Sequence, residues 1–265
     1  MLPEPRPWRG RCPADNNDKV RIVAIADIHG NHLALEAVQA DIRRHAPDVV
    51  INLGDHLSGP LQAAATADLL IETDYIHIRG NHDRQLLDRP PDQMGPSDQA
   101  AFGQLTSRHK AWLSGLPATR MLGEEILLCH GTPANDLEYL LEEIHGTEVR
   151  LRSQDRIRLG LGASQIPLVL CAHSHIPRMV RNADVTVVNP GSVGLPAYDD
   201  IRPSVHYVET GSPHARYAII DQEAGTLRVE FVAVEYDWEQ ASKEAAAAAR
   251  PDWSYALATG YALRG

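Results

Sequence analysis

Residues 20–26 (VRIVAIA) form a nearly unbroken run of apolar, mostly β-branched side chains. That is the pattern of a strand covered on both faces. Residues 33–45 then place Leu35, Val38 and Ile42 at helical spacing, and 48–53 (DVVINL) read as a second buried strand. Residues 61–71 read as an Ala-rich helix with Leu61, Ala65 and Leu69 on one stripe, and 75–78 as a third short strand. This alternation predicts βαβ units and a parallel sheet. The middle of the chain breaks the rhythm. Residues 84–116 look helical but are interrupted by Pro90, Pro91, Gly95 and Pro96. Residues 126–129 (ILLC), 168–171 (LVLC) and 185–188 (VTVV) read as strands, and 137–161 as mostly helix. Residues 217–221 and 226–234 alternate apolar with polar, as an antiparallel pair would. Helices are expected over 237–250 and 253–263. The expected fold is α/β, a two-layer β-sandwich flanked by helices on both sides. Residues 1–18, rich in Pro, Arg, Asp and Asn, read as an irregular tail. Residues 19–265 read as one domain with helical insertions around 84–116 and 133–165.

The chemistry sits at the ends of these strands. Asp27-Ile28-His29-Gly30-Asn31 follows the first, Gly54-Asp55-His56 the second and Gly80-Asn81-His82-Asp83 the third. His130-Gly131 follows 126–129, and Ala172-His173-Ser174-His175 follows 168–171. In open α/β sheets the ligand site lies at the carboxyl ends of the strands, so residues far apart in sequence are expected to converge. Asp, Asn and His together offer oxygen and imidazole donors, a mixture suited to manganese, iron, zinc or nickel. Glycine neighbours let the backbone turn sharply beside such ions. Singly, each motif also fits a polar cap or loop. Five in order, each after an apolar run, point to metal binding.

This ordered set resembles the signature of the calcineurin-like metallophosphoesterases, whose fold is the αββα sandwich. The segment Asn189-Pro190-Gly191-Ser192-Val193-Gly194 resembles a loop of their small prokaryotic phosphodiesterase branch. The resemblance implies one ion on Asp27, His29 and His175, a second on Asn81, His130 and His173, and Asp55 bridging both. It implies His82 as general acid. Asp83 could orient His82. His56, Asp83, Asn189, Gly191 and Ser192 are candidate substrate contacts, each with a structural alternative: loop residue, cap or turn. Arg178, Arg181 and Arg216 could clamp a phosphate, though a surface role is commoner.

The implied reaction is hydrolysis of a phosphate ester. A metal can lower the pKa of bound water from 15.7 to about 7. A hydroxide bridging two ions would attack phosphorus in line, and His82 would protonate the leaving oxygen. Phosphodiesters are favoured as substrates. A phosphomonoesterase, a dinucleoside polyphosphate hydrolase and a non-catalytic scaffold like the retromer subunit of this superfamily are the alternatives.

Composition narrows the partners. The chain has 265 residues, 43% hydrophobic and 23% charged, as ordinary globular proteins do. Its formal net charge of −10 argues against an extended nucleic-acid surface but not against a small phosphate or nucleotide substrate gathered at two cations. Three cysteines, Cys12, Cys129 and Cys171, do not make a disulfide framework, and Cys129 and Cys171 read as buried core thiols. No window approaches the roughly 18 apolar residues of a membrane span, and none near the start suits a signal peptide. A cytoplasmic location is expected, and the oligomeric state is left open.

Overall fold

The computed structural model describes residues 19–163 and 166–264; the tail expected at 1–18 lies outside them. The chain runs β1 (Val20–Ile25), α1 (His32–His45), β2 (Val49–Asn52), α2 (Ala63–Ile71), β3 (Ile76–His77), α3 (Asn81–Asp88), α4 (Pro96–Phe102) and α5 (Ser107–Ser114). It continues through β4 (Thr119–Leu122), β5 (Ile126–Cys129), β6 (Glu142–His145), β7 (Glu148–Leu151), α6 (Gln154–Leu161), β8 (Leu168–Leu170), β9 (Arg178–Asn182) and β10 (Val185–Asn189). It ends with β11 (Ala197–Asp200), β12 (His206–Glu209), β13 (Ala215–Glu223), β14 (Thr226–Val234), α7 (Trp238–Ala247) and α8 (Pro251–Thr259).

Among the described residues, two five-stranded sheets form the body, ordered β14-β13-β1-β2-β3 and β4-β5-β8-β10-β9. In the first, β1, β2 and β3 are parallel and β13 and β14 run against them as a hairpin. In the second, β5, β8 and β10 are parallel, with antiparallel edges β4 and β9. Alternation along each strand divides its side chains between two layers. Ile22, Ala24, Ile51, Leu128, Leu170 and Val188 meet between the sheets. Val23 and Ile25 face outward onto Leu35, Val38 and Ile42 of α1. Leu127, Cys129, Val169 and Cys171 face outward onto Ile157 and Leu161 of α6. The sandwich flanked by helices is thus explained by runs apolar on both faces. Cys129 and Cys171 are free and buried, as read from the sequence.

The stretch 137–161 departs from expectation. Only Gln154–Leu161 is helical, capped by Ser153 accepting from Arg156 N–H. Residues before it form β6 and β7, paired from Glu142↔Leu151 to His145↔Glu148. The two-residue connection places Gly146 first, at φ +66°. That is the requirement of a type II′ hairpin turn, which ends any helix there. With β11 and β12 the hairpin builds a third, four-stranded sheet, ordered β11-β12-β7-β6. The breaks at Pro90, Pro91 and Pro96 divide 84–116 as expected, into α3, a short 3-10 turn, α4 and α5. Among the described residues no helix is long and apolar enough to cross a membrane.

Candidate metal centre

The carboxyl ends of β1, β2 and β3 bring Asp27, His29, Asp55 and Asn81 from the first sheet. The ends of β5 and β8 bring His130, His173 and His175 from the second. All seven meet at one end of the sandwich. The donor atoms of Asp27, His29 and His175 lie within 4.8 Å of one another, as do those of Asp55, His130 and His173. Asp55 Oδ2 is 3.3 Å from His130 Nε2 and 3.9 Å from His29 Nε2, a position between the two groups.

The loops that deliver these atoms are sharply turned. Asp27, His29, Asp55, His173 and His175 all have left-handed backbone, with φ between 53° and 70°. Such conformations cost about 1–3 kcal/mol each and cluster at functional sites. Gly54, at φ +102°, packs its bare backbone on Gly80, where a Cβ would collide. This contact seats the Asp55 loop against the Asn81 loop.

The proton inventory shows what the seven residues are built to hold. His29 Nδ1 donates to the Ser58 carbonyl at 2.8 Å and His175 Nδ1 to the Leu195 carbonyl at 2.7 Å. Their Nε2 atoms are 3.2 Å apart. A neutral imidazole carries one N–H, so two lone pairs face each other. His130 Nδ1 likewise donates to the Leu53 carbonyl at 2.8 Å. Asn81 Oδ1 lies 3.0 Å from both His130 Nε2 and His173 Nδ1, and 3.3 Å from Asp55 Oδ2. The opposite amide orientation would satisfy these acceptors by hydrogen bonds, whereas a cation at the same point satisfies the carbonyl orientation. The oxygen is not needed elsewhere, because the His82 N–H already donates to Asp55 Oδ1 at 2.9 Å. Both Asp27 carboxylate oxygens are buried without a hydrogen bond; the nearby His173 backbone tempers their charge without an aligned bond. Acceptors converging with few protons among them, and imidazoles oriented by carbonyls, make the donor set of a metal centre. The residues therefore fit divalent cations.

The protein's own groups leave this set electrostatically frustrated. Burial lifts the Asp27 carboxyl to about 8 against the pull of His130. Burial pushes His29 down to about 4, His173 to about 3 and His175 well below its usual range. His130 is the exception: burial opposes its charge, but Asp55 outweighs this and holds it up at about 10. Cations reverse that logic by favouring carboxylates and neutral imidazoles together.

His82 stands at the edge of the centre, with 32% of its side chain exposed. Its Nδ1 is 2.8 Å from Asp98 Oδ1, which also accepts from Ser58 Oγ at 2.6 Å. Burial opposes the imidazolium, but Asp55 and the Asp98 hydrogen bond outweigh it and raise His82 to about 9. Asp98, near the start of α4, is thus the partner of His82, a role the sequence reading offered to Asp83. Asp83 instead turns back at the start of α3. It accepts from Gly80 and Asp55 N–H at 2.9 Å, from His56 N–H at 3.0 Å and from His56 Nδ1 at 2.7 Å.

The other candidate substrate contacts lie behind the ligands. His56 is fully buried between Asp83, His77 and Trp112. Asn189 donates to the Ala172 carbonyl and Ser174 Oγ and accepts from Gly191 N–H. Ser192 Oγ donates to the Asp27 carbonyl at 2.7 Å and accepts from Leu195 N–H at 2.9 Å. Gly191 supplies the turn at φ +82°. None of these five lines the cleft: Asp83, Asn189 and Ser192 are spent on the backbone of the ligand loops, and the His56 ring on Asp83 and His77. Arg178 pairs with buried Glu142 at 3.0 Å, Arg216 binds Ser212 and His214 carbonyls, and neither these two nor Arg181 lines the cleft.

The cleft over the metal centre holds about 680 Å³. Tyr139 and Tyr198 wall one side, their hydroxyls 2.7 Å apart, and Tyr198 meets His175 edge-on. Trp253 of α8 walls another and meets His29 edge-on at 6.0 Å. Arg250 binds Ser97 Oγ at 2.9 Å, tying the α7–α8 hairpin to α4.

Comparison with known proteins agrees with this geometry. An uncharacterized protein of Methanocaldococcus jannaschii is 24% identical over 260 residues, covering 89% of this chain and 96% of that protein. The crystal structure of a metallophosphoesterase from Sphaerobacter thermophilus superposes with a TM-score of 0.71 at 26% identity, over 92% of this chain and 100% of that one. A hypothetical protein from Pyrococcus horikoshii shares the fold, with a TM-score of 0.69 at 20% identity over 91% of this chain and 98% of that one. The family model for the calcineurin-like phosphoesterase superfamily domain matches residues 20–212, and the chain belongs to that superfamily.

Proposed function

We propose that this protein hydrolyses phosphodiesters using two divalent transition-metal ions, of the manganese, iron, zinc or nickel class. One ion would be held by Asp27, His29 and His175, the other by Asn81, His130 and His173, with Asp55 between them. The facing lone pairs of His29 and His175, 3.2 Å apart, carry this reading, because burial disfavours protonating either ring and a cation between them satisfies both. When bound, such ions bring the pKa of water from 15.7 towards about 7 and neutralise phosphate oxygens.

The chain's own groups supply the rest. His82 keeps one proton on Nδ1 towards Asp98 and leaves Nε2–H for the departing oxygen, a step worth about 10²–10⁴-fold. The Asp55 carboxylate orders the His82 backbone through the N–H bond at 2.9 Å. Tyr139, Tyr198 and Trp253 exclude water from the flanks. A cleft that extends well past the ligands supports a substrate with groups on both sides of phosphorus, which favours a diester over a monoester.

The test is hydrolysis of bis-p-nitrophenyl phosphate against p-nitrophenyl phosphate by chelator-stripped protein reloaded with manganese, alongside Asp55→Asn and His82→Ala. The expected result is preference for the diester and near-complete loss in Asp55→Asn. Preference for the monoester overturns the substrate class, and turnover of both that survives metal removal overturns the mechanism.

A further inference from the structure

Helix α3 does more than deliver Asn81. Residues four apart on a helix share a face, and Asn81, Gln85 and Arg89 are spaced i, i+4, i+8, with His82 beside the first. All four line the same cleft. Arg89 is the C-cap residue, its N–H still donating to the Gln85 carbonyl, so the stripe runs to the helix end.

Two features set Gln85 and Arg89 apart. Gln85 is 5% exposed, yet among the described residues its side-chain amide has no hydrogen-bond partner. Its polar atoms are not among the fully enclosed unpaired ones, so the amide opens onto the cleft that Gln85 lines. Arg89 is half-buried and its guanidinium pairs with no carboxylate among the described residues. Arg84 on the same helix is instead clamped by Asp136 at 2.7 and 2.8 Å, and Arg250 across the cleft is taken by Asp252 and Ser97. The one open amide and the open guanidinium on α3 thus stand in line with the metal ligand, on the side facing substrate.

We infer that this stripe is a second-anion subsite: the substrate is a phosphate ester that carries a further phosphate group, bound by Arg89, with Gln85 hydrogen-bonding the segment between. The inference rests on the phosphoesterase reading above and names the class of its substrate. At 1.5 Å per residue, Arg89 lies about 12 Å along the axis from Asn81, and Gln85 about 6 Å. Arg89 caps the helix in an extended conformation, and its long side chain lines the same cleft as Asn81 and His82. Its planar fork suits the terminal oxygens of a phosphate. The acidic residues Asp199 and Asp200 that share the cleft belong to β11 of the third sheet and not to the α3 stripe.

The test uses manganese-loaded protein and a chemical ruler: propanediol, hexanediol and nonanediol bisphosphates against the matching alkyl monophosphates. Binding is read by calorimetry, so absent turnover of bis-p-nitrophenyl phosphate would count against the diesterase reading alone. The expected result is a bisphosphate bound about tenfold or more tighter than its monophosphate at one spacer length. That ratio collapses towards one in Arg89→Ala, is partly kept in Arg89→Lys, falls in Gln85→Leu and is unmoved in Arg108→Ala, which removes a charge of the same sign on a distant surface. Equal binding of both ligands by the wild type, or a ratio unchanged in Arg89→Ala, overturns the subsite.

Discussion

His29 and His175 come from different sheets and present Nε2 to Nε2 at 3.2 Å, each with its remaining nitrogen fixed on a carbonyl. Neither can give the other a proton. The first prediction follows from this pair. Wild-type protein is expected to bind two equivalents of metal, and His175→Ala about one. If the ions bind only the folded chain, a 1,000-fold excess over Kd adds about 4 kcal/mol of stability. Metal analysis after desalting, with thermal melts of stripped and reloaded protein, checks both statements.

A second prediction concerns Asp98, which holds His82 Nδ1 at 2.8 Å. Asp98→Asn keeps the shape but removes the charge that favours imidazolium. The rate is expected to fall part of the way towards His82→Gln, itself about 10²–10⁴-fold down. Both losses should be larger for methyl or alkyl leaving groups than for p-nitrophenolate, which departs without a proton. Equal losses across a leaving-group series would remove His82 from the acid role.

Ser192 separates bracing from substrate contact. Its hydroxyl joins the Asp27 carbonyl to the Leu195 N–H. Ser192→Ala leaves the buried Leu195 N–H without its partner, at a cost of about 1–3 kcal/mol, while the Asp27 carbonyl keeps the Gly194 N–H at 3.0 Å. The melting temperature and metal affinity should drop while KM for a small diester stays near the wild-type value. A raised KM with normal metal affinity would return Ser192 to the substrate.

His77 gives a pH dependence. Burial, with the neighbouring His56 adding to it, depresses His77 well below the usual histidine range. The unfolded chain therefore takes up a proton near pH 6.5 that the folded chain refuses. Stability from this residue is complete above that pH and is lost as pH falls below it. The slope is up to about 1.4 kcal/mol per pH unit. In His77→Phe the loss between pH 6.5 and 5 should be shallower, as read by urea unfolding at several pH values.

The parallel strands and the convergence of the seven candidate ligands were legible because each of these residues lies within a few positions of the end of an apolar run, as Asp27 does after β1 and His130 after β5. The third sheet was not, because its strands are four residues long and polar: Glu142–His145 reads EEIH and Ala197–Asp200 reads AYDD. Its one local signal was Gly146-Thr147 between β-prone residues. The Asp83 role was also encoded, since Gly80 and Asp83 stand at the N-cap and N3 spacing of a capping box. The stripe of Asn81, Gln85 and Arg89 was legible as periodicity but not as a cleft wall. Asp98 and Trp253 were illegible, because their approach to His82 and His29 depends on how α4 and α8 fold over the sandwich, which no local pattern specifies.

The origin of the ligands has a mechanical consequence. Each candidate ion would take donors from both sheets: Asp27 and His29 with His175, and Asp55 and Asn81 with His130 and His173. Elsewhere the two layers touch through side chains such as Ile22, Ile51, Leu128 and Leu170, which grip without direction and could slide. Ions at one rim would act as rivets. They would cross-link chain positions as distant as His29 and His175, 146 residues apart, and help fix the register of one layer on the other in the way a covalent tie would. Metal bound there would reinforce the hydrogen bonds that already join the layers at this rim, from His130 to the Leu53 carbonyl and from Ser192 to the Asp27 carbonyl.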